Sequence, residues 1–319
     1  MSARIEPERQ RVLAAIKPTQ GGSPLPAIRA GEFAQRVDGD LLLVGVGFDS
    51  LVAGGFEGAA ALDEVAKSRL IEDQNLELER TAQSLRDRGG SATVRVVWGA
   101  AAYREILRVA DEWHPTLVVV GEHKQRAMLQ TPLTNTQWRL MQTCTCPLLV
   151  VKESTSNEHR TILAAIDPSR AELRAESRAV ARDVLQAACR FGAALNCQVR
   201  VVHAFADPED FALVSSIEVS PGIFYGTENI AELHRRAVEE LAGGYGIDPS
   251  HTDVRPGEPA EVIRQLTMDH DVRLVVLGLS RHGLVQQVVL GSITQAVTTE
   301  APCDVLLIPQ PAPEMRERA

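Results

Sequence analysis

Near the end of the chain, Gly278, Arg281, Gly291 and Ser292 stand in the pattern Gly-x2-Arg-x9-Gly-Ser. These residue types suit the holding of an anion. Glycine lets main chain approach a phosphate with no Cβ in the way. A helix beginning at Gly291-Ser292 offers exposed amides and the favourable end of its dipole, and Ser292 adds a hydroxyl donor. The Arg281 guanidinium can pair with phosphate through charge-assisted bonds; the alternative is a solvated loop arginine beside an empty site. Asp167 contributes an acid in Leu163-Ala-Ala-Ile-Asp-Pro168. Turnover of a phosphate ester would need a base and metal ligands converging on the phosphates. Asp167 is the single acid found for that work, and no Walker-type Gly-x4-Gly-Lys is present.

The elements that must position these residues are written twice. Leu13-Ala-Ala-Ile-Lys-Pro18 returns 150 residues later as Leu163-Ala-Ala-Ile-Asp-Pro168. Val118-Val-Val-Gly121 returns as Val275-Val-Leu-Gly278, and Cys146-Pro-Leu-Leu-Val-Val151 as Cys303-Asp-Val-Leu-Leu-Ile308, both 157 residues on. Segments recurring in order, half a length apart, mark a tandem duplication of a domain-sized unit. The boundaries expected are 1–152 and 153–319, with Glu153–His159 as a polar linker. In the second copy the pattern predicts strands at Thr161–Ile166, Gln198–Phe205, Thr252–Arg255, Arg273–Leu277 and Cys303–Ile308. Helices are expected over Ala175–Phe191, Asn229–Leu241, Pro259–Asp269 and Gly291–Glu300. The first copy repeats the order, with strands at Val12–Ile16, Leu41–Val46, Thr93–Val97, Leu117–Val120 and Leu148–Val151. Its long charged helix, Leu62–Arg88, carries Val65, Leu70, Ile71, Leu76 and Leu78 as apolar positions.

Alternating strands and helices imply right-handed crossovers and parallel sheets. The predicted fold class is therefore α/β, with two tandem doubly wound five-stranded parallel sheets. Ligands on such sheets sit beyond the carboxyl ends of the strands, where the strand order reverses. In the second copy those positions are Asp167, Ala204 at the end of the second strand, Gly278, and Gly291-Ser292.

Composition narrows the partners. Hydrophobic residues are 45% and charged residues 24% of the 319, ordinary for globular domains with buried cores. A net charge of −9 repels phosphate backbones, so nucleic acid is not expected as a partner. No apolar run nears the roughly 18 residues that span a bilayer, and the polar start is unlike a signal peptide. No membrane association and a cytoplasmic location are expected. The five cysteines form no even framework, and Cys146 and Cys303 are expected to be packed turn residues.

Leu163-Ala-Ala-Ile-Asp-Pro168, Gly257-Glu-Pro-Ala-Glu-Val-Ile263, Gly278-x2-Arg281-x9-Gly291-Ser292 and Ala301-Pro-Cys-Asp-Val-Leu-Leu-Ile308, in that order, resemble a universal stress protein domain. In the first half the closest matches are Val94-Arg-Val-Val-Trp98, Thr131-Pro-Leu-Thr-Asn-Thr-Gln-Trp138 and Cys146-Pro-Leu-Leu-Val-Val-Lys152. The whole chain is similar to the tandem, E-type members of that family. The resemblance implies a Rossmann-like, adenine nucleotide alpha hydrolase-like fold and an adenine nucleotide, ATP or AMP with magnesium, in the second copy. It implies that the Ala204 main chain edges adenine and that Asp167 faces the ribose or a metal. Gly278, Gly291 and Ser292 would hold ribose and phosphates. The family motif has glycine where this chain has Arg281; Gly283 would restore a glycine only by breaking the spacing to Gly291.

The first copy departs further. Lys17 replaces the acid, Glu122-His-Lys124 follows Gly121, and the later register falls on Thr134-Asn135, so this half is expected to be structural or to bind something else. Gly45-Val-Gly-Phe-Asp-Ser50 faintly resembles a pyrophosphatase loop but follows the second strand instead of the first. His123 and His282 lie near the fourth-strand loops and are read as solvated surface residues, with contact to phosphate as the alternative. The function expected is a non-enzymatic or barely hydrolytic stress-response protein that binds nucleotide in its second domain and acts through unidentified protein partners. A weak ATP-hydrolysing enzyme and a scaffold with no nucleotide are the alternatives. The family resemblance also implies pairing of the two final strands, Pro147–Val151 with Asp304–Ile308, as a pseudo-twofold dimer of domains. Association of whole chains as a homodimer stays open.

Overall fold

The computed structural model describes residues 9–16, 24–47, 60–122, 136–168, 175–205, 227–279 and 291–309. The chain divides into two compact units, Met1–Glu153 and Ser154–Ala319.

In the N-terminal unit the order is β1 (Arg11–Ile16), α1 (Leu25–Arg36), β2 (Asp40–Gly47), α2 (Ala60–Asp87), β3 (Ala92–Trp98), α3 (Ala102–Trp113), β4 (Leu117–Gly121), α4 (Thr136–Thr143) and β5 (Leu148–Val151). Its strands lie in the order β3-β2-β1-β4-β5, all pairs parallel. The strand positions follow from runs such as Leu117-Val-Val-Val120, whose side chains are 0–5% exposed. Unbroken apolar runs are what a strand covered on both faces requires.

Helix α2 corrects the expected apolar stripe. Leu78, Ala82 and Leu85 are buried, whereas Val65 and Leu76 are more than half exposed. The buried set recurs at spacings of four and three, one helical face, and Val65 and Leu76 fall off it. Gly45 and Gly47 sit inside β2. A Cβ on Gly45 would lie 2.8 Å from a Leu78 methyl, and one on Gly47 2.8 Å from the Gln74 amide. These glycines let α2 seat closely on the sheet; Phe48–Ser50 lie outside the described residues.

The C-terminal unit runs β6 (Thr161–Ala165), α5 (Ala175–Leu195), β7 (Gln198–Phe205), α6 (Thr227–Gly243), a 3-10 turn at Pro249–His251, β8 (Thr252–Pro256), α7 (Pro259–Asp269), β9 (Val272–Leu279), α8 (Ser292–Glu300) and β10 (Asp304–Pro309). Its strand order is β8-β7-β6-β9-β10, again all parallel. The order reverses between β6 and β9. Two tandem, doubly wound, five-stranded parallel sheets are thus the fold that the strand and helix pattern predicts.

The turn into α7 shows how local sequence sets an element. Gly257 has φ 128°, a conformation that an L side chain resists, and its amide donates to the Phe205 carbonyl at 2.9 Å. Glu258 caps the helix, its carboxylate accepting from the amides of Ala260 and Glu261. Pro259 follows at the first turn, where its missing N–H costs nothing.

The interunit segment 153–159 is better anchored than a free linker. The Thr155 hydroxyl donates to the buried Asp304 carboxylate at 2.6 Å, and a His159 ring nitrogen lies 3.2 Å from the Val272 carbonyl. Cys303 and Cys144 are buried; Cys146 is partly so, its Sγ 3.5 Å from that of Cys144. All five cysteines are free thiols. No helix among the described residues is long and apolar enough to cross a membrane.

Candidate functional site

Register alone brings Asp167 and Ala204 level. Ala165 of β6 pairs with Val202 of β7 and with Leu277 of β9. The register, continued two residues past the end of β6, points Asp167 toward Ala204 and Leu279 at the carboxyl edge, and the Asp167 carboxylate lies 3.9 Å from His203, the neighbour of Ala204. The Ile166 amide donates to the Val202 carbonyl at 3.0 Å, which extends the ladder to the residue before Asp167. The Asp167 side chain is half exposed.

Helix α8 supplies a second group. Because β9 and β10 are parallel, α8 must run back against them, and its amino end opens at the same carboxyl edge. Gly291 is its N-cap, extended at φ −62° and ψ 146°. Glycine brings no side chain to cap the first-turn amides, which normally take an acceptor there. Among the described residues, a Cβ on Gly291 would meet nothing within 4 Å. Gly291 and Ser292 are both exposed.

Gly278 has a packing role as well. A Cβ there would fall 2.3 Å from Val180 Cγ1 of α5. The glycine lets α5 pack on β9, and its bare face points at the helix. Arg281 lies outside the described residues, as do His123, His282, Gly283, Lys17 and Thr134-Asn135. Among the described residues no group of three or more His, Cys, Asp or Glu side chains could hold a metal.

The structure adds two histidines that the motif reading passes over. His203, on β7 beside Ala204, is 2% exposed, and its Nδ1 lies 3.1 Å from the Ile166 carbonyl oxygen. Its Nε2 lies 2.9 Å from Nδ1 of His234 on α6. His203 Nδ1 is also 3.9 Å from an Asp167 carboxylate oxygen. Phe205 stacks on His234, with ring centroids 4.8 Å apart and planes 11° from parallel. Burial pushes the His203 imidazole below its ordinary pKa, against the Ile166 carbonyl and Asp167, which pull it upward. Burial also lowers that of His234, again against the pull of Asp167. The available signal was a histidine inside the apolar run Val201-Val-His-Ala-Phe205.

The N-terminal copy has no such cluster at the matching place. Ala15 pairs with Val44 as Ala165 pairs with Val202, so Gly45 and Gly47 stand where His203 and Phe205 do. Leu78 and Gln74 fill the space.

The family model for the universal stress protein family matches residues 8–152 and again 158–309. The chain belongs to the universal stress protein family. It carries the domain twice, as expected, and membership places it among stress-response proteins. Universal stress protein E of Salmonella typhi is 25% identical over 307 residues, 94% of each chain. That of Escherichia coli is 23% identical over 306 residues, covering 94% of this chain and 93% of its own. Among solved structures, a functionally unknown protein from Pseudomonas aeruginosa aligns with a TM-score of 0.69 at 20% identity, over 95% of this chain and 93% of its own. A universal stress protein from Archaeoglobus fulgidus aligns at 0.64 and 15% identity, over 93% and 96%. These two likenesses establish the fold.

Proposed function

We infer that the C-terminal unit binds an adenine nucleotide, ATP or AMP, at the carboxyl edge between β6 and β9. The observation that carries this reading is the level placement of Asp167 and Ala204 at the strand reversal, on the edge where α8 begins with an uncapped glycine. A nucleoside laid across that edge would find the Ala204 main chain for its base and the Asp167 carboxylate for its ribose hydroxyls. Phosphates would meet the first-turn amides of α8 and the Ser292 hydroxyl, where backbone donors and helix dipole favour anions. Arg281, in the sequence between β9 and α8, completes the set proposed. Gly278 serves packing in this scheme.

Magnesium fits as a companion of the phosphates. Asp167 is one exposed oxygen donor, and magnesium is commonly held by one or two carboxylates together with substrate phosphates. Bound there, the ion would neutralise phosphate charge. The protein's contribution is to hold and orient the ligand, and the stress response follows from how the loaded protein meets its partners.

The test is direct. Purified protein is denatured and the supernatant assayed for ATP, ADP and AMP, and the native protein is titrated with Mg–ATP at pH 7.5. Nucleotide in the supernatant or a saturable isotherm is expected. Neither, at millimolar ligand, removes the reading.

A further inference from the structure

Cys144 and Cys146 bracket one residue in the short connection between α4 and β5. Helix α4 ends just before them, where the Cys144 amide donates to the Leu140 carbonyl at 2.8 Å. After them the Pro147 carbonyl accepts from the Val118 amide at 2.9 Å, which ties the start of β5 to β4. The chain bends at Thr145 and Cys146, and the two sulfurs come to 3.5 Å. Cys144 is 3% exposed, Cys146 is partly exposed and Thr145 is exposed. Cys146 is therefore the sulfur that solvent reaches first, with the Cys144 sulfur behind it.

The C-terminal copy gives an internal contrast. Cys303 stands where Cys146 does, but the residue 157 positions on from Cys144 is Ala301. Ala301 is buried, and its amide donates to the Val297 carbonyl at 2.9 Å, as that of Cys144 does to Leu140. A small apolar side chain is enough to finish the helix there. Packing alone does not call for a thiol at Cys144.

Two sulfurs already in contact can be joined with little change of fold. Residues two apart span at most about 7 Å, near the upper end of the Cα separations that a disulfide bridges, and the bend shortens that span. The ring so closed encloses a single residue. A loop that short gains little from chain entropy, and so narrow a ring is strained, which makes its bond readily reduced. The bond is thus suited to opening and closing, not to holding the unit together.

We propose that Cys144 and Cys146 form a thiol–disulfide exchange site that reacts with low-molecular-weight disulfides and closes reversibly on itself. Cys146, as thiolate, attacks one sulfur of the small disulfide; an S–S bond forms on Cys146 and one small thiolate leaves. Cys144, as thiolate, then attacks the Cys146 sulfur, and the second small thiolate leaves. Each protein thiol gives up one proton and each leaving thiolate takes one. The protein pair is oxidised by two electrons while the small disulfide is reduced to two thiols. The hydrogen bond to Cys144, and after it burial, push the Cys146 thiol up, so little thiolate is present at neutral pH and exchange is slow. The site lies in the N-terminal unit and is independent of the nucleotide reading.

The test equilibrates the full chain in buffers of graded reduced and oxidised glutathione. Samples are quenched with acid, unfolded, alkylated with iodoacetamide and digested with trypsin. The tryptic peptide Leu140–Lys152 contains both sulfurs and no other cysteine. It should pass from doubly alkylated to unalkylated, and lighter by two hydrogens than the reduced peptide, as the ratio of squared thiol to disulfide concentration falls about a hundredfold. Two alkyl groups at every ratio overturn the proposal, as does joining of this peptide only to those of Cys189, Cys197 or Cys303. Cys144→Ala, which copies Ala301, should stop at a glutathione adduct on Cys146. Cys146→Ser should take up glutathione at the buried Cys144 about tenfold more slowly or less. Equal uptake by the two variants overturns Cys146 as the entry sulfur.

Discussion

Val180 of α5 and Gly278 of β9 touch so closely that a methyl group on the glycine would sit 2.3 Å from Val180 Cγ1. Nonbonded carbons do not approach to that distance. Gly278→Ala should therefore destabilise the C-terminal unit by about 1–3 kcal/mol, the usual cost of overpacking. Val180→Ala in the same chain should recover part of the loss. Urea unfolding of the single and double variants checks this, and additive losses would contradict the packing role.

Gly291 makes the opposite expectation. No described residue lies within 4 Å in its Cβ direction, so Gly291→Ala should cost about 1 kcal/mol or less, the difference between glycine and alanine at an N-cap. Mg–ATP affinity should nonetheless drop by about tenfold or more, because the added methyl stands where phosphate meets main chain. Calorimetry beside thermal melts separates the two effects.

Stability of the C-terminal unit should fall with acid. Both His203 and His234 are lowered by burial, so the unfolded chain binds protons that the folded one refuses. The contribution is fully present above about pH 6.5 and lost as pH falls through the lowered values. Denaturant midpoints from pH 8 to 5 should slope downward below that point. The slope should be shallower in His234→Gln, which has one titrating group fewer; an unchanged slope would exclude the pair as its source.

Thr155 donates to Asp304 at 2.6 Å, and both are buried. Thr155→Val keeps the shape and takes one donor from a buried carboxylate, for which a loss of about 1–3 kcal/mol is expected. The C-terminal unit's melting temperature reports it, and no change would mean that other donors suffice. Glu258→Ala should cost about 1 kcal/mol through the two amides it caps.

Much of this protein was legible in its residues because the governing forces are local and periodic. Strands buried on both faces must be written as apolar runs, so Leu148–Val151 and Gln198–Phe205 were read to the residue. Pro259 and Asp269 bounded α7 for similarly local reasons. The duplication was visible because one fold was encoded twice. Where a single helix position faces is a different matter. Val65 and Leu76 are as apolar as Leu78, yet only Leu78 reaches the sheet, since the covered stripe depends on where α2 lands.

The candidate site divides the same way. Sequence alone placed Asp167 and Ala204 at strand ends, since strand ends are marked by local pattern, and it gave Gly278 and Gly291 equal standing as glycines of one motif. Tertiary packing separated them, turning Gly278 toward Val180 and leaving Gly291 exposed. It also joined His203 to His234, 31 positions apart, and set His203 3.9 Å from Asp167. No periodicity encodes such a meeting, because a hydrogen bond between a strand and a distant helix exists only once the helix has packed.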